Sequence, residues 1–230
     1  MKKAIAIMNK DLKEIIRNSQ IFGPVIILPI LFGVFLPMMF FIMPLEAGFL
    51  LMNILNGFFL LMGVLIPIVI ASDSFAGEKE RKTIEALLAA PISDSELFLG
   101  KVLVSLIPAI LSTYFAATLY CILINLRFQI FIMPNLAFLI IMIFVPLFAL
   151  LGIELTVFIS VRVKGFREAS QLSIVSFLPA LVVIVLPILG IPLFDFPWNI
   201  LLFIVVIFAD VGLYGLAIKK FGRENIITKI

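Results

Sequence analysis

The sequence predicts an all-α integral membrane protein: six transmembrane helices, an N-terminal interfacial helix, and a charged cytoplasmic helix between spans 2 and 3. Three observations carry this prediction. Of 230 residues, 63% are hydrophobic and 13% charged, with a mean hydropathy of +1.28, whereas a soluble domain is nearer half apolar and a quarter charged. The apolar residues collect in six runs, each near the roughly 20 residues that a helix needs to cross a bilayer. Lastly, 16 of the 17 Lys and Arg residues fall on alternate connections, and the excess of basic residues marks the cytoplasmic side.

Residues 1–20 read as an interfacial helix. Ile5, Met8, Leu12, Ile15 and Ile16 recur at helical spacing, with Lys3, Lys10, Lys13, Glu14 and Arg17 on the other side. Such a helix lies flat on the membrane with its cations near anionic headgroups. The spans follow at 21–44, 49–71, 102–126, 136–161, 172–189 and 199–218. Basic residues precede the first span, separate the second from the third and the fourth from the fifth, and follow the sixth. Arg127 alone lies on the opposite side. Both termini are therefore expected in the cytoplasm of a multi-pass protein of the cell membrane. The external connections are short, and the one around Gly190, Pro192, Asp195 and Pro197 either dips back into the membrane or rests at its surface with Trp198 as anchor. Pro29, Pro37, Pro67, Pro108, Pro146 and Pro179 sit inside spans and predict kinked helices whose freed carbonyls are satisfied by neighbours. The whole of 1–230 reads as one transmembrane domain, divided into the interfacial helix (1–20), spans 1–2 (21–71), a cytoplasmic elbow (72–101), spans 3–6 (102–218) and a tail (219–230).

The elbow, SDSFAGEKERKTIEALLAAPISDSELFLGK, is the longest polar insertion. Its first half predicts a helix over 75–90, with Glu78 and Lys82 spaced i,i+4 and an end imposed by Pro91. Ser93-Asp94-Ser95-Glu96 is a capping box that opens a second helix leading into the third span. Two helices in this order make a stiff connection.

The elbow also carries a resemblance. A span, then F-x-G-E-K-E-R-x-T-x-E-x-L-L-x-x-P-[VI]-S, then E-L-x-L-G-K entering the next span, resembles the coupling region of ABC-2 type permeases, the transmembrane subunits of ABC exporters. The matching residues are Phe75, Gly77, Glu78, Lys79, Glu80, Arg81, Thr83, Glu85, Leu87, Leu88, Pro91, Ile92, Ser93, Glu96, Leu97, Gly100 and Lys101. The layout agrees along essentially the whole chain. The large external domain that some members carry after the first span is missing here. The resemblance implies a dimer, with a second copy or a paralogue, around a translocation pathway. It also implies a separate ABC ATPase subunit docked at the segment 75–93, with Glu78, Glu80, Arg81, Thr83 and Glu85 at or beside that contact. ATP and Mg would sit on the partner, with no cofactor on this chain, which is not expected to be an enzyme. No nucleic-acid partner is expected. Gly100-Lys101 is followed by Val102, so the G-x-x-x-x-G-K-[ST] phosphate loop is not formed there. Reversing the charges of Glu80 and Arg81 is expected to uncouple transport and leave the fold intact.

Pathway candidates are Asn53, Asn56, Glu154, Gln171, Ser173 and Asp210, with Ser170 and Ser176 beside them. Acids inside spans face the bundle or water because charge at the bilayer centre costs at least about 2.5 kcal/mol. Glu154 and Asp210 therefore either line a cavity or pack protonated or hydrogen-bonded between helices. For the polar residues the competing role is interhelical hydrogen bonding. Arg162, Lys164 and Arg167 form either a second docking loop or a topology signal.

Three function classes compete. A passive channel or secondary transporter is the main alternative, but no inverted repeat or filter sequence is visible. An intramembrane enzyme lacks a nucleophile–base constellation, and the chain contains no His and a single Cys, Cys121. The permease reading absorbs the elbow, which neither of the others explains.

Overall fold

A computed structural model of the chain describes residues 2–42, 45–83, 92–128, 136–163, 165–189 and 196–221. The elements among these residues are helices. α1 (Lys2–Arg17) ends at Asn18, whose extended backbone turns the chain and whose side chain accepts a hydrogen bond from the Gln20 N–H at 3.1 Å. That cap starts α2 (Ser19–Ile30), which passes through a π-helical turn, Leu31–Phe35, into α3 (Leu36–Ile42). The second span is α4 (Leu45–Ser72). It runs on through another π-helical turn, Asp73–Gly77, into the short α5 (Glu78–Glu80). α6 (Asp94–Phe128) and α7 (Leu136–Ser160) are the third and fourth spans. The fifth joins α8 (Phe166–Ser173) through a 3₁₀ turn, Ile174–Phe177, to α9 (Leu178–Ile188), and the sixth is α10 (Trp198–Phe221). Six helical stretches are long and apolar enough to cross a membrane, which makes the chain a multi-pass membrane protein.

The second span is the axis of the bundle. In it, 83% of the most apolar window is buried, against 22% in the first span and 17% in the sixth. Lipid is as apolar as Leu, so helices in a membrane associate by close packing, and small residues decide where. Gly63 on α4 faces Val145 on α7, where an added Cβ would come 2.9 Å from a Val145 methyl. Gly152 on α7 faces Val64 in return. The first span meets the third at Gly33, where a Cβ would stand 2.7 Å from the Ala116 carbonyl oxygen. Farther along, Phe59, Tyr120 and Phe138 from α4, α6 and α7 form a ring triangle with centroid separations of 5.1, 5.7 and 6.0 Å. Phe144 and Phe203 tie the fourth span to the sixth at 6.0 Å.

The structure adds detail at three points. The helices α4, α6 and α7 stay helical through Pro67, Pro108 and Pro146, and the helical ladder of the first span shifts in the π turn just after Pro29. Next, α1 buries Ala4, Ile7, Asp11 and Ile15, while Ile5 and Ile16 of the predicted apolar face stay exposed. The helix thus has a protein-facing stripe beside its apolar one. Finally, the first elbow helix stops well before residue 90. Lys82 takes φ 56°, its N–H bonds the Lys79 carbonyl at 3.1 Å, and the Thr83 N–H bonds the Glu78 carbonyl at 3.0 Å. This is a Schellman stop with a lysine in place of the usual glycine, at a cost of about 1 kcal/mol. Residues 84–91, and the rest of that expected helix, lie outside the described residues. So do the residues of the break before the sixth span up to 195. At Ser93 the capping box is present: the Glu96 N–H donates to Ser93 Oγ and the Ser93 hydroxyl to Glu96 Oε2, both at 3.2 Å.

Gly33→Ala is expected to destabilise the purified protein by about 1–3 kcal/mol, because the added methyl meets backbone that cannot yield. Gly212→Ala on α10, with nothing within 4 Å of the added atom, is expected to leave stability unchanged or raised. Thermal unfolding of both variants in detergent checks this pair.

Candidate functional site

The end of the second span, the start of the third, α1 and the start of α8 meet on one face of the bundle, here called the α1 face. At its centre is Lys101, fully buried. Its ammonium carries three donors. It donates to the Ser74 carbonyl and to Glu78 Oε2, and lies 3.6 Å from Asp11 Oδ2. The Phe75 ring centroid is 5.6 Å from Nζ, a favourable cation–π position. Glu78 and Asp11 are themselves buried. Lys10, 3.9 Å from Asp11, brings the group of two acids and two amines to charge balance.

Local structure places each of these groups. The π turn widens the helix between Asp73 and Gly77 and carries both Ser74 and Phe75 toward Lys101, and turns of this kind recur at functional sites. Gly100 lets α1 lie directly on α6: a Cβ there would sit 2.9 Å from the Ala4 carbonyl and 3.0 Å from Ile7. Without that approach Asp11 would not reach Lys101. Beneath the ions, Ile7, Phe75, Leu97, Phe98, Val157 and Ala217 form an apolar cluster drawn from α1 and four spans, with Phe98 edge-on to Tyr214 at 5.5 Å.

A second set of contacts spreads from the elbow. Arg81 donates to both Asp73 oxygens, at 2.9 and 3.3 Å, and lies 3.4 Å from Glu14 of α1. Bidentate geometry makes this the strong kind of pair, and the hydrogen bonds that Arg81 donates to Asp73 hold the guanidinium pKa above its ordinary value. Gly77 makes room for this pair, since a Cβ would stand 2.5 Å from Asp73 Oδ1. Glu80 accepts the Phe166 N–H at 2.9 Å and so caps α8 from outside its own segment. Gly165 leaves it room, as a Cβ there would meet Glu80 Oε2 at 2.6 Å. Lys79 donates to the Val163 carbonyl at 3.4 Å. The Thr83 hydroxyl donates to the Glu78 carbonyl at 3.3 Å and leaves the side chain exposed.

Glu78, Glu80, Arg81 and Thr83 are thus brought into one network, while Glu85 lies outside the described residues. The pathway candidates are spread over the second, fourth, fifth and sixth spans. Asn53 and Asn56 fall on α4, with side chains outside the described residues. Glu154 and Asp210 are buried on the packed fourth and sixth spans, within electrostatic reach of each other. Neither Glu154 Oε2 nor either Asp210 oxygen has a hydrogen-bond partner among the described residues. Ser173 and Ser176 are buried, whereas Gln171 is exposed. In the second loop, Arg162 rests over the Phe158 ring at 5.0 Å. Sequence reasoning missed Asp11 and Asp73 as members of the network, and placed Lys101 in the elbow motif without a partner. The available clue was an acid on the stripe Ala4, Ile7, Asp11, Ile15, where burial demands a cationic partner.

Six spans, the second of them buried at the axis, with an ionic junction linking four elements on one face, define a polytopic membrane protein with a stiff connection between spans. A family model described as ABC-2 family transporter protein matches residues 5–226. The chain belongs to that family and is a membrane transport component of an ABC system. Comparison with curated proteins gives no match.

Lys101→Met is expected to lower stability by about 3–5 kcal/mol, because it strands two buried carboxylates. Adding Asp11→Leu and Glu78→Leu is expected to recover most of the loss, since an apolar replacement of a whole buried ion group is often neutral. Denaturation of the single and triple variants in one detergent reads both effects.

Proposed function

We propose that this chain is the permease subunit of an ATP-driven exporter of the cell membrane, with both termini cytoplasmic. Two permease copies, identical or paralogous, enclose the translocation pathway, and a separate ABC ATPase docks on the elbow over residues 75–93. ATP and Mg are held by that partner, and this chain binds no cofactor. The export direction rests on the family alone.

The observation that carries the reading is the network around Lys101. Glu78, Glu80 and Arg81 bond to the third span, to α8 and to α1, while α5 follows the second span with only the π turn between. A push on the elbow therefore moves four attached elements together, as a transmission between ATPase and pathway requires. Thr83, exposed next to the network, and Glu85 are assigned to the ATPase contact. Glu78, Glu80 and Arg81 belong to the polar network beside it. Reversing Glu80 and Arg81 would also remove the α8 cap and set Arg81→Glu against Asp73 and Glu14, so it perturbs folding as well as coupling. For the pathway itself, Asn53, Asn56, Glu154, Gln171, Ser173 and Asp210 remain the assigned candidates.

The test is co-expression with an ABC ATPase subunit, followed by the mass and ATP turnover of the purified assembly. A complex of two membrane and two ATPase chains is expected. In the Lys101→Met/Asp11→Leu/Glu78→Leu variant the complex should still assemble, but its ATP turnover should no longer respond to the permease. Purification of the chain without any ATPase, or wild-type turnover in the triple variant, would overturn the reading.

A further inference from the structure

A second concave site lies away from the ionic junction. Between the C-terminal half of α1, the first span and the third span is an open cavity of about 480 Å³. Leu12, Ile16, Ile26, Ile30, Leu111 and Phe115 are among its walls, and five of these are well exposed to it, Leu12 being half-buried. Its one polar side chain, Ser112, is already used, because its hydroxyl donates to the Val25 carbonyl at 2.9 Å. The walls therefore ask for a hydrocarbon and offer no polar group to anything else. On the neighbouring face of α1, Lys13 and Arg17 are exposed, spaced i,i+4, and paired with no acid among the described residues. Like charges at that spacing repel, and an anion held between them would relieve that repulsion.

We infer that this groove and its cationic rim are a binding site for one anionic phospholipid, with an acyl chain in the groove and the headgroup against Lys13 and Arg17. The chemistry separates the two contributions. A chain in the groove leaves surroundings as apolar as the groove itself, so burial alone gives little selectivity. The headgroup supplies it, because each Lys or Arg near the surface attracts anionic lipid. The groove then decides where that lipid rests. Bound there, the lipid would bridge α1 and the first and third spans. The inference concerns the membrane-embedded chain alone and does not depend on ATP coupling.

The experiment uses the full-length chain reconstituted in a bilayer of equimolar phosphatidylglycerol and phosphatidylcholine and re-extracted in mild detergent, with the retained lipids counted by mass spectrometry. Phosphatidylglycerol is expected to be enriched about tenfold over phosphatidylcholine. Lys13→Gln/Arg17→Gln should abolish the enrichment. Leu111→Trp, which fills the groove and leaves the rim intact, should lower the number of lipids retained. Equal retention of the two lipids by the wild type, unchanged enrichment in the Gln variant, or an unchanged lipid count in the Trp variant would overturn the inference. So would a disulfide between two copies through Leu111→Cys in a Cys121→Ser background, because a second copy would then occupy the groove.

Discussion

The buried ammonium of Lys101 constrains everything on the α1 face. An amine with no access to water needs compensating acids close by, and removing either side leaves a charge that the interior cannot solvate. Both acids come from other elements, Asp11 from α1 and Glu78 from the end of the second span. Two glycines follow from that demand. Gly100 lets α1 approach closely enough for Asp11 to arrive, and Gly77 leaves room for the Asp73–Arg81 pair one turn from Glu78. The π turn is the third consequence, since it turns the Ser74 carbonyl and the Phe75 ring toward the same ammonium. The elbow motif is therefore a record of one packing problem and its solution.

Away from that face, a different physics holds the bundle. Lipid gives helices no hydrophobic reason to associate, so contact depends on shape. The second span is buried because its glycines and those of its neighbours allow close approach: Gly63 against Val145 and Gly152 against Val64. The first and sixth spans keep most of their apolar surface exposed, as outer helices in lipid can. The bundle is thus joined by ions at one end and by close-packed, non-polar contacts along the rest.

Much of this was legible in advance, and the misreadings have local causes. The capping box at Ser93 and Glu96 formed as its spacing implies, because both partners lie within one helical turn. The α1 periodicity was half right: Leu12 and Ile16 do form an apolar side, but the helix has a second buried stripe. That stripe looks mixed in sequence because it contains Asp11. The end of the elbow helix was missed because a lysine at the left-handed position carries none of the signal that glycine or asparagine would. Glu80 was expected at or beside the ATPase contact, and nothing in its local sequence shows that it caps a helix beginning 86 residues later.

Composition, run length and the placement of basic residues by themselves determined a six-span membrane protein with a charged elbow, since hydropathy and helical period are local properties of the chain, and the motif within that elbow carried the family resemblance. Tertiary structure alone decided which charges are spent on one another. Asp11 and Glu14, Glu78 and Arg81, and Lys101 come from three separate stretches of the sequence and meet only when α1 packs on α6 and the π turn sets their directions. A charge on a helix has a defined face but no defined partner until another helix is laid against it, and close packing, which depends on every residue at the crossing, makes that choice.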